Sequence, residues 1–270
     1  MEKYYSIPLI IILSFIIGFP VFARDIRLVC PYAGPMTDAY TNDSRRIDLK
    51  DTKLLKGLFF QWIDPERYQW NAFVYQSSDI NYSTLWGGHF VFDRYLRVNQ
   101  KGKWVFGGGA EYLRIDLDAG GHIKPMSDFR LLNNLFIPYA RFGYRFQFNP
   151  NWLTAGVLPW VGAEVQRVRG DLNLAVDPPG PAPAVTTSEH IHADDGFGVV
   201  GLNVNANLFH MLDLEAKYHH AINADATYSS ASAMVNLFLT RWCGLSYRVK
   251  YLELEKGWDL YHIFGIAVVI

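Results

Sequence analysis

The sequence predicts an all-β fold, an antiparallel transmembrane β-barrel of twelve strands with both chain ends on the periplasmic side. Three observations carry this expectation. Long segments alternate apolar with polar residues, the breaks between them alternate short with longer, and bulky aromatic rings flank the short breaks. Trp62 and Tyr68 bracket Asp64-Pro65-Glu66, Tyr95 and Trp104 bracket Asn99-Gln100-Lys101-Gly102, and Phe148 and Trp152 bracket Asn149-Pro150-Asn151, while Phe209 and Trp242 stand at two later turns. Rings with an apolar body and a polar edge are most stable where strand ends meet lipid headgroups.

The first element is the apolar run from Ser6 to Phe19, which follows Lys3 and leads to Val21-Phe22-Ala23. It reads as an export signal ending at residue 23 and not as a spanning helix, which leaves residues 24–270 as one barrel domain. Cys30 follows Arg27-Leu28-Val29 and not the small residues of a lipoprotein site, so no lipid anchor is inferred. Period-two segments then run over about 55–63, 67–76, 82–97, 103–118, 135–148, 152–167, 196–208, 212–223, 227–239, 243–254 and 259–270. Exported single-chain barrels normally have an even number of strands, so residues 25–34 supply the twelfth and 35–54 a first outer loop. Ten strands is the alternative, reached if the 55–76 hairpin packs elsewhere. The breaks at 64–66, 99–102, 149–151, 209–211 and 240–242 are short and so fall on the periplasmic side. Those at 119–134 and 168–195 are long and rich in Gly, Pro, Asp and Ser, the composition of outer loops. Within the first of these, Ser127 to Leu132 reads as a short helical turn.

Facing follows from alternation. Pro138, Ala140, Phe142, Tyr144, Phe146 and Phe148 share one face, opposite Tyr139, Arg141, Gly143, Arg145 and Gln147. Residues 152–167 set Leu153, Ala155, Val157, Pro159, Val161, Ala163 and Val165 outward against Trp160, Glu164 and Gln166. Leu212, Leu214, Ala216 and Tyr218 oppose Asp213, Glu215, Lys217 and His219, and Leu245, Tyr247, Val249 and Tyr251 oppose Ser246, Arg248 and Lys250. A soluble sandwich would turn the apolar face inward, but segments as long as 82–97 and 152–167 suit a tilted membrane strand of about 9–11 residues better than a soluble one of about 5–6. Two carboxylates disturb the pattern. In 103–118 the reading puts Tyr112, Arg114 and Asp116 in the lumen, which leaves Glu111 on the lipid side with Leu113, Ile115 and Leu117. Continued alternation after Tyr251 sets Glu253 toward lipid as well, at the outer end of its strand.

With 25 basic and 26 acidic residues and a formal charge of -1, nothing argues for nucleic acid. Cys30 and Cys243 lie near opposite ends of the barrel sequence; both fall near the periplasmic rim, where closure and an oxidising compartment allow a disulfide or two inert thiols. No cofactor is implied. His190, His192, Asp194 and Asp195 are donor types for a divalent ion, yet exposed loops often carry them without one, and no metal site is assigned. Gly107-Gly108-Gly109 lacks the Lys-Ser/Thr of a phosphate loop and reads as a bend, a bulge or a place of close approach.

The candidate lumen-lining residues are His89, Asp93, Arg114, Asp116, Arg141, Arg145, Glu164, Glu215, Lys217, His219, Arg248 and Lys250. Mixed charge of this kind suits a narrow selective path for a small molecule, or a paired network that closes the barrel as a structural or adhesive body. A barrel of about twelve strands lies between the side-chain-filled eight and the open porins of about 16–18.

The two-faced pattern, together with the apolar terminal segment Leu260 to Ile270, resembles Gram-negative outer-membrane β-barrel proteins in general, although their last strand usually ends in Phe. The resemblance implies the outer membrane as address, its lipids and the barrel-assembly machinery as partners, and a monomer. Some outer-membrane enzymes that hydrolyse lipid acyl chains are similar in size and use Ser with His; here His219-His220 and Ser229-Ser230 flank the tight connection Asn223-Ala224-Asp225-Ala226. Hydrogen-bonded wall residues are the default for such groups, and no catalytic residue is assigned.

Overall fold

The computed structural model describes residues 26–42, 47–64, 66–78, 83–99, 101–118, 126–149, 153–176, 185–208, 211–240, 242–254 and 257–270. The expected export signal lies outside them. Twelve strands form: β1 (Ile26–Asn42), β2 (Ile47–Asp64), β3 (Tyr68–Ser77), β4 (Ser83–Asn99), β5 (Gly102–Asp118), β6 (Met126–Asn149), β7 (Leu153–Val176), β8 (Val185–Leu208), β9 (Leu212–Ile222), β10 (Thr227–Phe238), β11 (Cys243–Leu254) and β12 (Gly257–Val269). Each pairs antiparallel with its sequence neighbours, and β1 pairs with β12 from Leu28↔Val269 to Tyr40↔Gly257, so the sheet closes. Closure leaves no unpaired edge around the ring. At the seam the Ile270 amide donates to the Arg27 carbonyl at 2.9 Å, which puts both ends of the barrel at the short-turn rim.

The short turns are held by side chains that satisfy freed amides. Asp64 Oδ1 accepts from the amides of Glu66 and Arg67, and Asn99 Oδ1 from those of Lys101 and Gly102. Gly102 closes the second turn at a φ of 150°, a conformation open to residues without a Cβ.

Three expected loops are largely strand. Residues 35–54 belong mostly to β1 and β2, which pair out to Asn42↔Ile47. The helical turn foreseen at Ser127–Leu132 is extended in β6, paired to β7 through Asp128↔Asn173 and Arg130↔Asp171. Residues 168–195 continue β7 and β8 as a hairpin paired out to Val176↔Val185. Polar, turn-rich composition overstated the length of these connections, because a neighbouring strand satisfies backbone groups as well as a local turn does. Residues 185–197 of β8 pair with β7 alone, since β9 joins only from Gly198↔Ile222, while β6 accompanies β7 out to Leu174, so this hairpin stands above β9 as a tongue braced on its other side by β6.

The outer wall is apolar. Phe90, Phe92, Phe106, Phe136, Phe142, Val157, Val161, Val200, Val204, Leu245, Phe264 and Ile266 are all exposed on it. Toward the short-turn rim rings meet one another, with Trp104 stacked on Phe142 at 5.2 Å, Trp62 against Trp70 at 5.9 Å and Phe146 on Phe148 at 5.8 Å. Toward the other rim Trp86 meets Tyr112 at 4.9 Å. Tyr95, foreseen among the outer rings, is instead buried inside, where its hydroxyl bonds Gln69. Among the described residues no helix is long and apolar enough to cross a membrane.

β5 is turned opposite to expectation. Glu111, Leu113 and Leu117 are buried inside, while Arg114 and Asp116 lie on the outer wall in an ion-pair group with Arg130. Tyr112, whose hydroxyl donates to Asn134 at 2.8 Å, shares their face. The physical reason is charge: Glu111 finds two ammonium groups inside, whereas the outward pair falls beyond the apolar band, where water is available. Glu253 does face outward as alternation required, exposed at its strand end and accepting from the Ser229 amide at 3.1 Å.

Candidate functional site

Near the short-turn rim, Arg145 donates to Gln69 Oε1 and to the Tyr95 hydroxyl at 3.0 and 2.9 Å, tying β6 to β3 and β4. Asn236 joins Asp213, and Ser246 bonds both Asn236 and Tyr32.

At mid-height the charges converge. Arg141 grips Asp93 with two bonds, Nε to Oδ1 at 2.6 Å and Nη2 to Oδ2 at 2.5 Å, both side chains buried. Gly107 makes this possible: a Cβ there would stand 2.2 Å from Asp93 Oδ1 and 2.3 Å from the Phe92 carbonyl. Gly109 likewise admits the end of the Tyr139 side chain, its hydroxyl 2.8 Å from a Cβ position. The glycine run is therefore neither bulge nor bend, since pairing runs unbroken through it on both sides; it is a place where neighbours approach. Glu111 accepts from Lys217 at 3.1 Å and also from Lys250, linking β5 across the interior to β9 and β11. Glu215 accepts from Asn203 at 2.9 Å. Among the described residues Arg248 has no carboxylate within ion-pair reach; it lies over the rings of Phe73, Phe59 and Tyr32 at 4.4, 4.6 and 5.4 Å and donates to Met234 Sδ at 2.8 Å. These groups surround a central cavity of about 50 Å3, lined also by His89, Asn71, Tyr139 and His219, with room for a few waters at most. Around it stand four fixed cations, Arg141, Lys217, Arg248 and Lys250, against Glu111 and Glu215 on the cavity wall and Asp93 behind Arg141. Asp259 adds a further carboxylate beside Lys250 at the void above, and Arg248 is the cation of the cavity wall without an ion pair among the described residues.

Toward the long-loop rim the interior turns apolar. Met36, Leu85, Leu113, Leu252 and Tyr261 come from five strands and meet around a void of only about 10 Å3, which Lys250 and the buried Asp259 also line. Below the opposite part of that rim, Glu164 is buried with neither carboxylate oxygen hydrogen-bonded by a described residue, and among the described residues Trp160 Nε1 and His219 Nε2 also find no partner. Trp160 and His219 meet edge to face at 5.5 Å.

Of the sequence-read candidates, His89, Asp93, Arg141, Arg145, Glu164, Glu215, Lys217, His219, Arg248 and Lys250 project inward, and all but Asp93, Arg145 and Glu164 line the central cavity. Arg114 and Asp116 do not belong to it. Glu111 does, and sequence reading had placed it toward lipid; its strand parity with Val105, Gly107 and Gly109 was the available signal. The aromatic lining of Phe59, Phe73 and Tyr75 was also missed, because charge was sought on the inner face and rings on the outer. Cys30 is buried inside and Cys243 is exposed, and both are free thiols. They occupy opposite faces of the wall, so no disulfide joins them. On the tongue, Asp171 meets His190 at 2.6 Å and Arg167 meets Asp194 at 3.0 Å, so these loop residues are cross-strand partners of one another. Among the described residues no three His, Cys, Asp or Glu side chains converge as a metal site.

No family model matches the chain, and no curated protein matches it. Solved structures of outer-membrane barrels resemble it in outline. The translocator domain of the autotransporter NalP from Neisseria meningitidis is 12% identical with a TM-score of 0.48, covering 97% of this chain and 94% of its own. For the KdgM porin the values are 8%, 0.43, 89% and 98%. For the toluene transporter TodX of Pseudomonas putida they are 8%, 0.40, 95% and 90%. The chain is a twelve-stranded antiparallel barrel similar to this broad group, and no single family within it is assigned.

Proposed function

We propose that the protein is a narrow selective channel of the Gram-negative outer membrane, passing small polar solutes with a preference for anions, and that the structure is its closed form. The short-turn rim with both barrel ends faces the periplasm, and the tongue faces outward, as in barrels of this class. One observation carries the reading: a polar central cavity, whose Arg248 is in no ion pair among the described residues, lies beneath a contact of Met36, Leu85, Leu113 and Leu252 that Lys250 and Asp259 border. Apolar constrictions stop conduction by excluding water, and rotamer changes in unbranched or Leu side chains reopen them. A body built only to be filled would satisfy its own polar groups; the bare carboxylate of Glu164 and the bare His219 Nε2 call for water or solute instead.

Purified full-length protein in planar bilayers tests this. The expected result is discrete openings of low conductance, with a reversal potential under a salt gradient that reports anion preference. No conductance across the accessible voltages and salts overturns the proposal and leaves a closed structural barrel. Met36→Ala with Leu113→Ala should raise open probability.

A further inference from the structure

The turn between β9 and β10 is held by Asn223, whose Oδ1 accepts from the amides of Asp225 and Ala226 at 2.9 and 2.7 Å. It fixes Ser229 directly opposite His220. Alternation then separates the two His–Ser pairs: His219 and Ser230 are buried inside, and His220 and Ser229 project from the outer wall. There the Ser229 hydroxyl lies 3.0 Å from His220 Nδ1 and 3.1 Å from the Tyr218 hydroxyl. On its other side Glu253 accepts from the Ser229 amide at 3.1 Å and holds that backbone in place.

The location supplies the substrate class. The row is at the long-loop end of the wall; immediately below it come Ala231 and then Ala233, with Tyr218 paired on one side of Ala231 and Tyr251 on the other. Ala231 thus lies between two half-exposed rings and Ala233 between Ala216 and Val249, so small side chains run down the apolar wall from Ser229, where an acyl chain can lie. In a bilayer this puts the hydroxyl where hydrocarbon gives way to headgroups, the level of lipid acyl esters.

We propose that Ser229 and His220 form a nucleophile and base that hydrolyse an acyl ester of a lipid in the leaflet at the long-loop end. Ser229 Oγ bonds to the ester carbonyl carbon as its proton passes to His220 Nδ1, and the Tyr218 hydroxyl donates to the resulting oxyanion. Collapse breaks the ester C–O bond, and the leaving alkoxide takes the proton from His220, giving the lyso-lipid alcohol and an acyl-Ser229. Water then attacks with His220 again as base, and collapse returns the proton to Ser229 Oγ and frees the fatty acid. The site is separate from the interior, so conduction and hydrolysis stand or fall independently.

The test uses the full chain. A fluorophosphonate probe in detergent should label Ser229, and the label should be absent from Ser229→Ala. Fatty acid release is measured by mass spectrometry from vesicles of phosphatidylethanolamine and phosphatidylglycerol and, in a second arm, from vesicles containing lipopolysaccharide; the responding arm identifies the lipid. Ser229→Ala should abolish release, and His220→Asn should lower it by about 10²- to 10⁴-fold. Unfolding of each variant at the parent's urea midpoint shows that it remains folded. Absence of release from both vesicle types, or release that persists in folded Ser229→Ala, overturns the proposal.

Discussion

Replacing Asp93 with Asn tests whether the interior is held by paired charge. The substitution keeps shape and volume, so no cavity forms and the measured loss belongs to electrostatics. Asp93 is 0% exposed and Arg141 6% exposed, and both guanidinium bonds end on the one carboxylate. An Asn there removes the negative charge, turns one acceptor into a donor facing a donor, and leaves a buried guanidinium with half its bonds. Breaking a buried pair from one side costs about 3–5 kcal/mol, a fall of about 10²- to 10⁴-fold in the folding constant. The near-complete burial of both side chains puts the expectation within that range and not below it. Urea unfolding in lipid vesicles, followed by tryptophan fluorescence, gives the difference directly. Adding Arg141→Met to Asp93→Asn should recover at least about half of the loss, because the stranded charge is then gone. A single variant within about 1 kcal/mol of the parent refutes the reasoning, since the pair would then be hydrated.

Glu111→Gln should destabilise by about 2–4 kcal/mol, below the full range for buried pairs because the two lysines border cavity water, and should shift the reversal potential further toward anions. An unchanged selectivity would show that this carboxylate does not face the path. Gly107→Ala should cost about 1–3 kcal/mol in the same unfolding assay, because its methyl meets the Phe92 carbonyl as well as Asp93 and the strands must part; parental stability would contradict the close approach. Arg167→Ala on the tongue should change stability by no more than about 1 kcal/mol, its ion pair being half exposed. In detergent a water-soluble maleimide should label Cys243 alone in the folded protein and both cysteines after unfolding; two labels on folded protein would refute the opposite-face placement.

Much of the wall was legible in the sequence because closure and lipid impose period two. Tyr218 and Lys217, or Tyr247 and Arg248, declare their faces by chemistry alone, and the structure places each accordingly. Legibility ended where both faces carry the same kind of residue. In β5 the outward Tyr112, Arg114 and Asp116 are more polar than the inward Leu113 and Leu117, because that part of the wall has passed the apolar band while the interior beside it is dry. The cation–ring packing of Arg248 was hidden for a related reason: Phe59 and Phe73 look like lipid-facing residues until the strands are set beside Gln61, Gln69 and Asn71, whose parity they share. The Ser229–His220 contact needed the register of one turn, which composition does not give. A slip of one residue would have sent the opposite pair outward.

The β8 edge of the tongue has a thermodynamic life of its own. Beyond Gly198 that strand is held by β7 alone, and β7 is backed by β6 out to Leu174, so β8 can peel away there without opening the ring beneath. The amides of residues 185–197 should trade deuterium before those of the staves do. Selection can therefore rewrite this margin while the cylinder below stays as it is.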